Sequence, residues 1–241
     1  HSWGRMSTWT AADHPRGDSG RFKTKTHAEP EGGLASEPVS TRTAQPDGTI
    51  EWRTPSGKLH RIDGPAIIRP DGYEEWWKHG KRHRTDGPAV THPDGVQAWY
   101  LNGERHRTDG PAITRTDGSE EWWANGKRHR DDDPATTWPN GSEAWYQHDV
   151  LHRLDGPAYV IPNGTELWCS RGEMHRVDGP AIVRSDGSQA WYLHDTRHRT
   201  DGPAATHADG TLEWWEHGER KPPEVEAALT MVWRASNPTQ P

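Results

Sequence analysis

Seven copies of the phrase His-Arg-x-Asp carry the residue types of acid–base and metal chemistry in this chain. The histidines are His60, His83, His106, His129, His152, His175 and His198, each followed three residues later by an aspartate, Asp63 in the first copy and Asp201 in the last. An imidazole beside a carboxylate can move protons, and several imidazoles together can ligate zinc. The spacing argues against both uses. Successive phrases stand 23 residues apart. If each unit supplies two strands, equivalent residues lie roughly 9–10 Å apart, whereas zinc holds its ligands at about 2.0–2.3 Å. Phrase histidines of neighbouring units are therefore too far apart to share an ion, and a structural histidine that bonds the connector of each unit fits better. His79, His148, His194 and His217 leave room only for adventitious metal. Cys169 is the single cysteine and replaces an aromatic residue in one unit. It reads as a small core substitute rather than a nucleophile. Every glycine of the array belongs to a repeating turn, so no phosphate-binding loop stands apart. Seven equal units also leave no special one for an active site. The chain reads as non-enzymatic, with no catalytic residue, metal or cofactor.

The other residues able to do chemistry are aromatic. Trp77, Tyr100, Trp123, Tyr146, Tyr192 and Trp215 recur on the same beat, with Cys169 in the place between Tyr146 and Tyr192. Such a row could stack sugars, bases or a partner's side chains. It could equally pack on the alanines and prolines of the neighbouring unit. These six aromatics are the candidate binding residues.

The elements that must position them follow from the period. Each phrase continues as Gly-Pro-Ala in most units, and a tryptophan recurs at 76, 99, 122, 145, 168, 191 and 214. Self-similarity at a fixed period of this length signals a repeat architecture. Before each such tryptophan stands Asp-Gly or Asn-Gly between two short segments, which predicts a β-hairpin closed by a two-residue type I′ turn. That turn sets a register in which Trp76 faces Ile67, Trp99 faces Val90 and Trp122 faces Ile113. In that register one face carries the constant tryptophan with the aliphatic residues, and the other carries the variable aromatics opposite the Gly-Pro-Ala alanines. Asn-Gly or His-Gly and the His-Arg phrase form the connector. Gly64 and its equivalents are expected to allow a turn forbidden to other residues, with Asp63 bonding backbone donors in it. Asp133 stands where Gly stands in the other units, which predicts strain or a shifted turn there.

A degenerate first unit spans about 38–59, with one extra residue around Thr54-Pro55-Ser56-Gly57. Seven full units run from His60 to Arg220. The expected domains are a disordered tail over 1–43, a repeat domain over 44–220 and a C-terminal helix with its tail over 221–241. Residues Glu224–Ser236 read as the helix, with Val225, Leu229, Val232 and Trp233 in one stripe that caps the last unit. Within the tail, Met6 offers a start after an extension His1–Arg5, and Arg16-Gly17-Asp18 is too short to indicate adhesion.

The runs Trp77-Lys78-His79-Gly80-Lys81-Arg82-His83, Tyr100-Leu101-Asn102-Gly103-Glu104-Arg105-His106 and Trp123-Ala124-Asn125-Gly126-Lys127-Arg128-His129 resemble the tryptophan-x-asparagine-glycine-x-x-histidine core of MORN repeats, whose period is also 23. The continuation His-Arg-x-Asp-Gly-Pro-Ala is closer to the MORN variant of bacterial, phage and giant-virus proteins, including antitoxin components of some toxin–antitoxin modules. The resemblance covers about residues 45–220. It implies an all-β array of hairpins, usually an open twisted single-layer sheet rather than a closed ring. It also implies protein or sometimes lipid contact, and no shared catalytic residues.

Composition narrows the rest. The chain has 241 residues, 15 Trp, one Phe and a net charge of −7. Tryptophan must supply much of the buried surface. The acidic balance argues against nucleic acid and anionic membranes. One cysteine and the lack of a long apolar run point to a soluble, cytoplasmic protein. The expected role is a scaffold for an unidentified protein partner, antitoxin- or immunity-like in a bacterium or phage. The alternative is a small ligand or glycan on the aromatic row.

Overall fold

A computed structural model describes residues 37–238. Arg16-Gly17-Asp18 and most of the expected tail lie outside them. The sheet starts at Thr41–Ala44, earlier than the boundary expected at residue 44. The chain from there is all β until one helix, Pro223–Ser236. Among the described residues, sixteen antiparallel strands follow one another in a single meander. The sheet is open: Thr41–Ala44 and Leu212–Glu213, at its two ends, do not pair with each other.

The register differs by one residue from the expected one. Ile67 pairs with Glu75, Val90 with Ala98 and Ile113 with Glu121. The loop between them has three residues, not two. In the first full unit Arg69 N–H donates to the Tyr73 carbonyl and Gly72 N–H to the Arg69 carbonyl. Gly72 alone takes positive φ, +90°, and Asp71 Oδ1 accepts the Tyr73 N–H at 2.9 Å. This is a type I turn followed by a left-handed glycine. Its signal was the proline before Asp-Gly or Asn-Gly at Pro70, Pro93, Pro139 and Pro162, which presets φ for the first turn position. A slip of one residue moves every side chain to the other face. The aliphatic residues therefore share a face with Tyr73, Glu75 and Trp77, not with Trp76.

The type I′ turn lies elsewhere in the unit. His79 and Gly80 both have positive φ, 52° and 79°, as do Asn102–Gly103, Asn125–Gly126 and His217–Gly218. The stretch expected to be a connector is a second hairpin, with Trp77 paired to Arg82 and Lys78 to Lys81. Seven such side hairpins form a row beside the main sheet. They are stitched together by the turn glycine's N–H, which donates to the preceding unit: Gly103 to Arg82 and Gly126 to Arg105. Two units carry Asp149 and Asp195 in the glycine place, at φ 69° and 59°. Each carboxylate accepts a backbone N–H of the preceding unit, Arg128 at 3.0 Å and Met174 at 2.7 Å, which offsets the strained backbone. In the first unit, Thr54-Pro55-Ser56-Gly57-Lys58 closes this second hairpin with another three-residue loop, which accounts for the extra residue.

The helix closes the last unit. In the units before it, the constant tryptophan's N–H donates to the alanine carbonyl of the next unit, as Trp191 does to Ala204. Trp214 has no next unit, and its N–H donates to Glu226 Oε1 of the helix at 3.1 Å. Its indole N–H donates to Thr230 at 3.0 Å, and Arg234 bonds the Gly210 carbonyl. The docked face is thus Glu226, Leu229, Thr230 and Trp233, which keeps Leu229 and Trp233 of the expected stripe and leaves Val225 and Val232 exposed. Polar bonds to the sheet edge, rather than apolar burial, set the helix's rotation.

Candidate functional site

The His-Arg-x-Asp phrase is a joint, and each of its residues has a mechanical task. Arg107 donates from Nε to Asp109 at 2.9 Å and from Nη1 to the Pro111 carbonyl at 3.2 Å, while its guanidinium lies 4.2 Å over the Trp99 ring. The same stack recurs from Arg61 on Trp52 to Arg199 on Trp191. Asp63 and its equivalents therefore bond arginine, not backbone donors. The phrase glycines do not take positive φ. A Cβ on Gly110 would sit 2.8 Å from Arg107 Cζ, so glycine gives the arginine room rather than serving backbone freedom. Asp133 accordingly causes no left-handed strain: Arg130 still covers Trp122 at 4.1 Å and bonds Asp133 Oδ2 at 2.6 Å instead. The alanines that follow, from Ala66 to Ala204, are completely buried.

The phrase histidine reaches the next unit. His106 Nδ1 accepts the Asn125 N–H at 3.1 Å, and His60, His83, His152 and His198 do the same for their neighbours. Such a nitrogen must be unprotonated. Burial first, and the Arg171 charge second, hold His152 below the usual histidine range. Phrase histidines do not meet one another. Each meets the turn residue 19 positions on, and where that residue is histidine the rings face each other, stacked for His60 on His79 with centroids 4.7 Å apart and tilted for His198 on His217. Spacing by whole units could not reveal that pairing.

The six candidate aromatics form the second row, half-buried at the base of the side hairpins. Tyr100 and Trp123 pack on the core of Tyr73, Val90, Ala98 and Ile113. The row is a ladder with arginines between the rings. Arg82 lies 5.3 Å from Trp77 and 5.5 Å from Tyr100; Arg105 lies 6.0 Å from Tyr100 and 4.9 Å from Trp123. Arg128 lies 4.0 Å from Tyr146, and Arg197 connects Tyr192 with Trp215. The ladder is interrupted where Leu151, Cys169 and Met174 replace its members. Burial, with the Asp195 charge adding, pushes the Cys169 thiol up to about 11, so it stays protonated and unreactive at neutral pH.

A rule missed in the sequence governs this row. Where the ring is Trp, the residue two before it is Glu; where it is Tyr, that residue is Ala. Trp77, Trp123 and Trp215 donate their indole N–H to Glu75, Glu121 and Glu213. Tyr100 and Tyr192 instead accept from Arg105 and Arg197, each at 3.2 Å. Burial would raise the Glu75 carboxyl, but hydrogen bonds from Arg82, Tyr73 and Trp77 more than offset it, and it titrates below the usual range. Burial and the bond to Glu75 push Tyr73 up to about 12. The signal was a covarying pair two residues apart, visible within the one chain.

Tyr100, Arg105, Trp123 and Lys127 line a shallow groove of about 470 Å³, together with Glu104 and the Asn125-Gly126 turn. The opposite face of the sheet presents Glu74, Gln97, Glu120, Glu143, Glu166 and Gln189, one per unit, beside threonines and valines. Among the described residues no helix is long and apolar enough to cross a membrane. A scan of family models and a search of curated proteins each returned no match for this chain.

Proposed function

We propose that the chain is a non-enzymatic scaffold of the MORN-variant kind that binds another protein on the outward face of its sheet. The observation that carries this reading is the division of labour between constant and variable residues. The recurring tryptophan, arginine, histidine, alanine and glycine are spent on joining one unit to the next. Of the outward positions, Glu166 accepts the Trp168 indole N–H at 3.3 Å. Glu74, Gln97, Glu120, Glu143 and Gln189 carry no such task and alternate between Glu and Gln from unit to unit, as positions left to recognition can. Their charge suits a basic partner surface. Within this reading the role is antitoxin- or immunity-like, in the cytoplasm of a bacterium or in a phage-encoded system, with no nucleic acid or membrane partner.

The test is capture with the full chain from a lysate of its own source, run beside a Glu120→Lys, Glu143→Lys variant. One protein recovered in near-equal amount by the native chain and lost by the variant is the expected result. A partner retained by the variant moves the interface elsewhere. Recovery of nothing by the native chain removes the scaffold reading and favours a small ligand. The groove beside Tyr100 and Trp123 is the one observation on that side.

A further inference from the structure

We infer that Arg105 is the centre of an oxyanion-binding subsite, for a carboxylate or phosphate group carried on a small aromatic or apolar body. Five arginines stand in the aromatic ladder, and four are neutralised. Arg82 pairs with Glu75 at 3.0 Å, Arg128 with Asp149 at 3.1 Å, Arg197 with Glu213 at 2.6 Å and Arg220 with Glu226 at 3.0 Å. Arg105 has no carboxylate partner among the described residues; its side chain bonds only the Tyr100 hydroxyl, at 3.2 Å.

The reason lies two strands away. The Tyr192–Trp215 step is built like the Tyr100–Trp123 step, with alanine before the tyrosine and glutamate before the tryptophan. There the glutamate, Glu213, serves both Trp215 and Arg197, and His207 adds a contact of 3.2 Å. In the earlier step the residue in the His207 place is Arg115. Arg115 Nη2 takes Glu121 Oε1 at 2.5 Å, while Oε2 holds the Trp123 indole N–H at 2.8 Å. Glu121 is consumed, and Arg105 keeps an uncompensated charge. That charge sits in the shallow groove with Lys127 on one side and the Tyr100 and Trp123 rings beside it, against a single opposing carboxylate, Glu104. A half-buried guanidinium flanked by aromatic rings binds an oxyanion through charge-assisted hydrogen bonds, and the rings accept the ligand's apolar part. No protein partner is needed, so this inference stands or falls apart from the scaffold reading.

The test uses the full chain with benzoate and phenyl phosphate, followed by calorimetry and by the Arg105 Nε–H signal in nuclear magnetic resonance. Saturable binding of either probe, with the Arg105 signal shifting, is expected. Benzoate alone, phenyl phosphate alone or both identify which oxyanion the subsite takes. Arg105→Gln abolishes binding. Arg115→His rebuilds the Tyr192–Trp215 arrangement, returns Glu121 to Arg105 and weakens binding at least about tenfold without touching the groove, a loss of about 1.4 kcal/mol. Its unchanged melting transition separates this from unfolding. No binding of either probe overturns the inference, as does native-like binding by Arg105→Gln or by a folded Arg115→His chain.

Discussion

Trp122 and Trp123 are neighbours in the chain and obey different rules. Trp122 is held by its backbone: its N–H donates to Ala135 of the next unit and its carbonyl accepts from His129. Its ring lies under Arg130. The backbone bonds ask for no particular side chain, whereas the arginine stack recurs with the ring from unit to unit. The Trp123 carbonyl likewise accepts a recurring bond, from Arg107 N–H at 3.1 Å, but its ring is held by an indole N–H that needs Glu121. A side-chain pair can be exchanged for another pair that also satisfies itself, and the chain does so with Ala98 and Tyr100. The comparison teaches that a ring stays constant where the same arginine covers it from unit to unit, and varies where its polar atom is satisfied by a side chain that can change with it.

The largest effect expected from this contrast is at the constant row. Trp122→Ala removes a ring packed between units and costs about 3 kcal/mol, read by denaturant unfolding. A loss no greater than that of Trp123→Ala breaks the distinction. Arg107→Ala comes next, at about 2 kcal/mol, from the lost Trp99 stack and the lost bond to the Pro111 carbonyl. The exposed Asp109 pair adds little. Gly110→Ala follows at about 0.5 kcal/mol, because a Cβ makes the guanidinium shift slightly but, as Arg130 beside Asp133 shows, does not remove it from the ring. Its melting transition shifts in the direction of Arg107→Ala but less far; a stabilised variant would show that this glycine serves only backbone freedom.

The smallest effect is a pH dependence at one joint. His152 accepts the Arg171 N–H at 3.0 Å and titrates below the ordinary value of 6.5. A depressed pKa means that its contribution to stability is complete above 6.5 and is lost as pH falls from there toward the folded-state value. Hydrogen exchange at the Arg171 amide, corrected for intrinsic rates, becomes less protected between about pH 7.5 and 5.5. Protection that ignores pH in that window contradicts the assigned acceptor.

The repeat period, the hairpin class and the terminal helix were legible because they follow from spacing and from Gly and Pro chemistry, whereas the open sheet was expected only from the resemblance to MORN repeats. The face assignment was not read correctly. Asp-Gly suggested a two-residue turn, but Pro70 and the Asp71 side chain stabilise a three-residue one, and a single residue of register reverses the faces. The second hairpin was hidden because a histidine at positive φ is uncommon, yet His79 adopts it where its backbone N–H meets His60. All six candidate aromatics do form one row, but as a half-buried ladder with arginine rather than an open stacking platform. Arg105 was out of reach because its freedom depends on Arg115, a competitor known only from the folded register.

The most direct measurement is a double-mutant cycle on the variable row, with Glu121→Ala, Trp123→Tyr and both together. Glu121→Ala alone leaves a half-buried indole N–H without its acceptor and costs about 1–2 kcal/mol. The double variant recreates the Ala98–Tyr100 pair of the neighbouring unit and recovers the indole's share of that loss, though not the Arg115–Glu121 pair, giving a coupling of about 1 kcal/mol. Simple additivity of the two changes would contradict the account, because the row would then vary residue by residue and not as closed pairs.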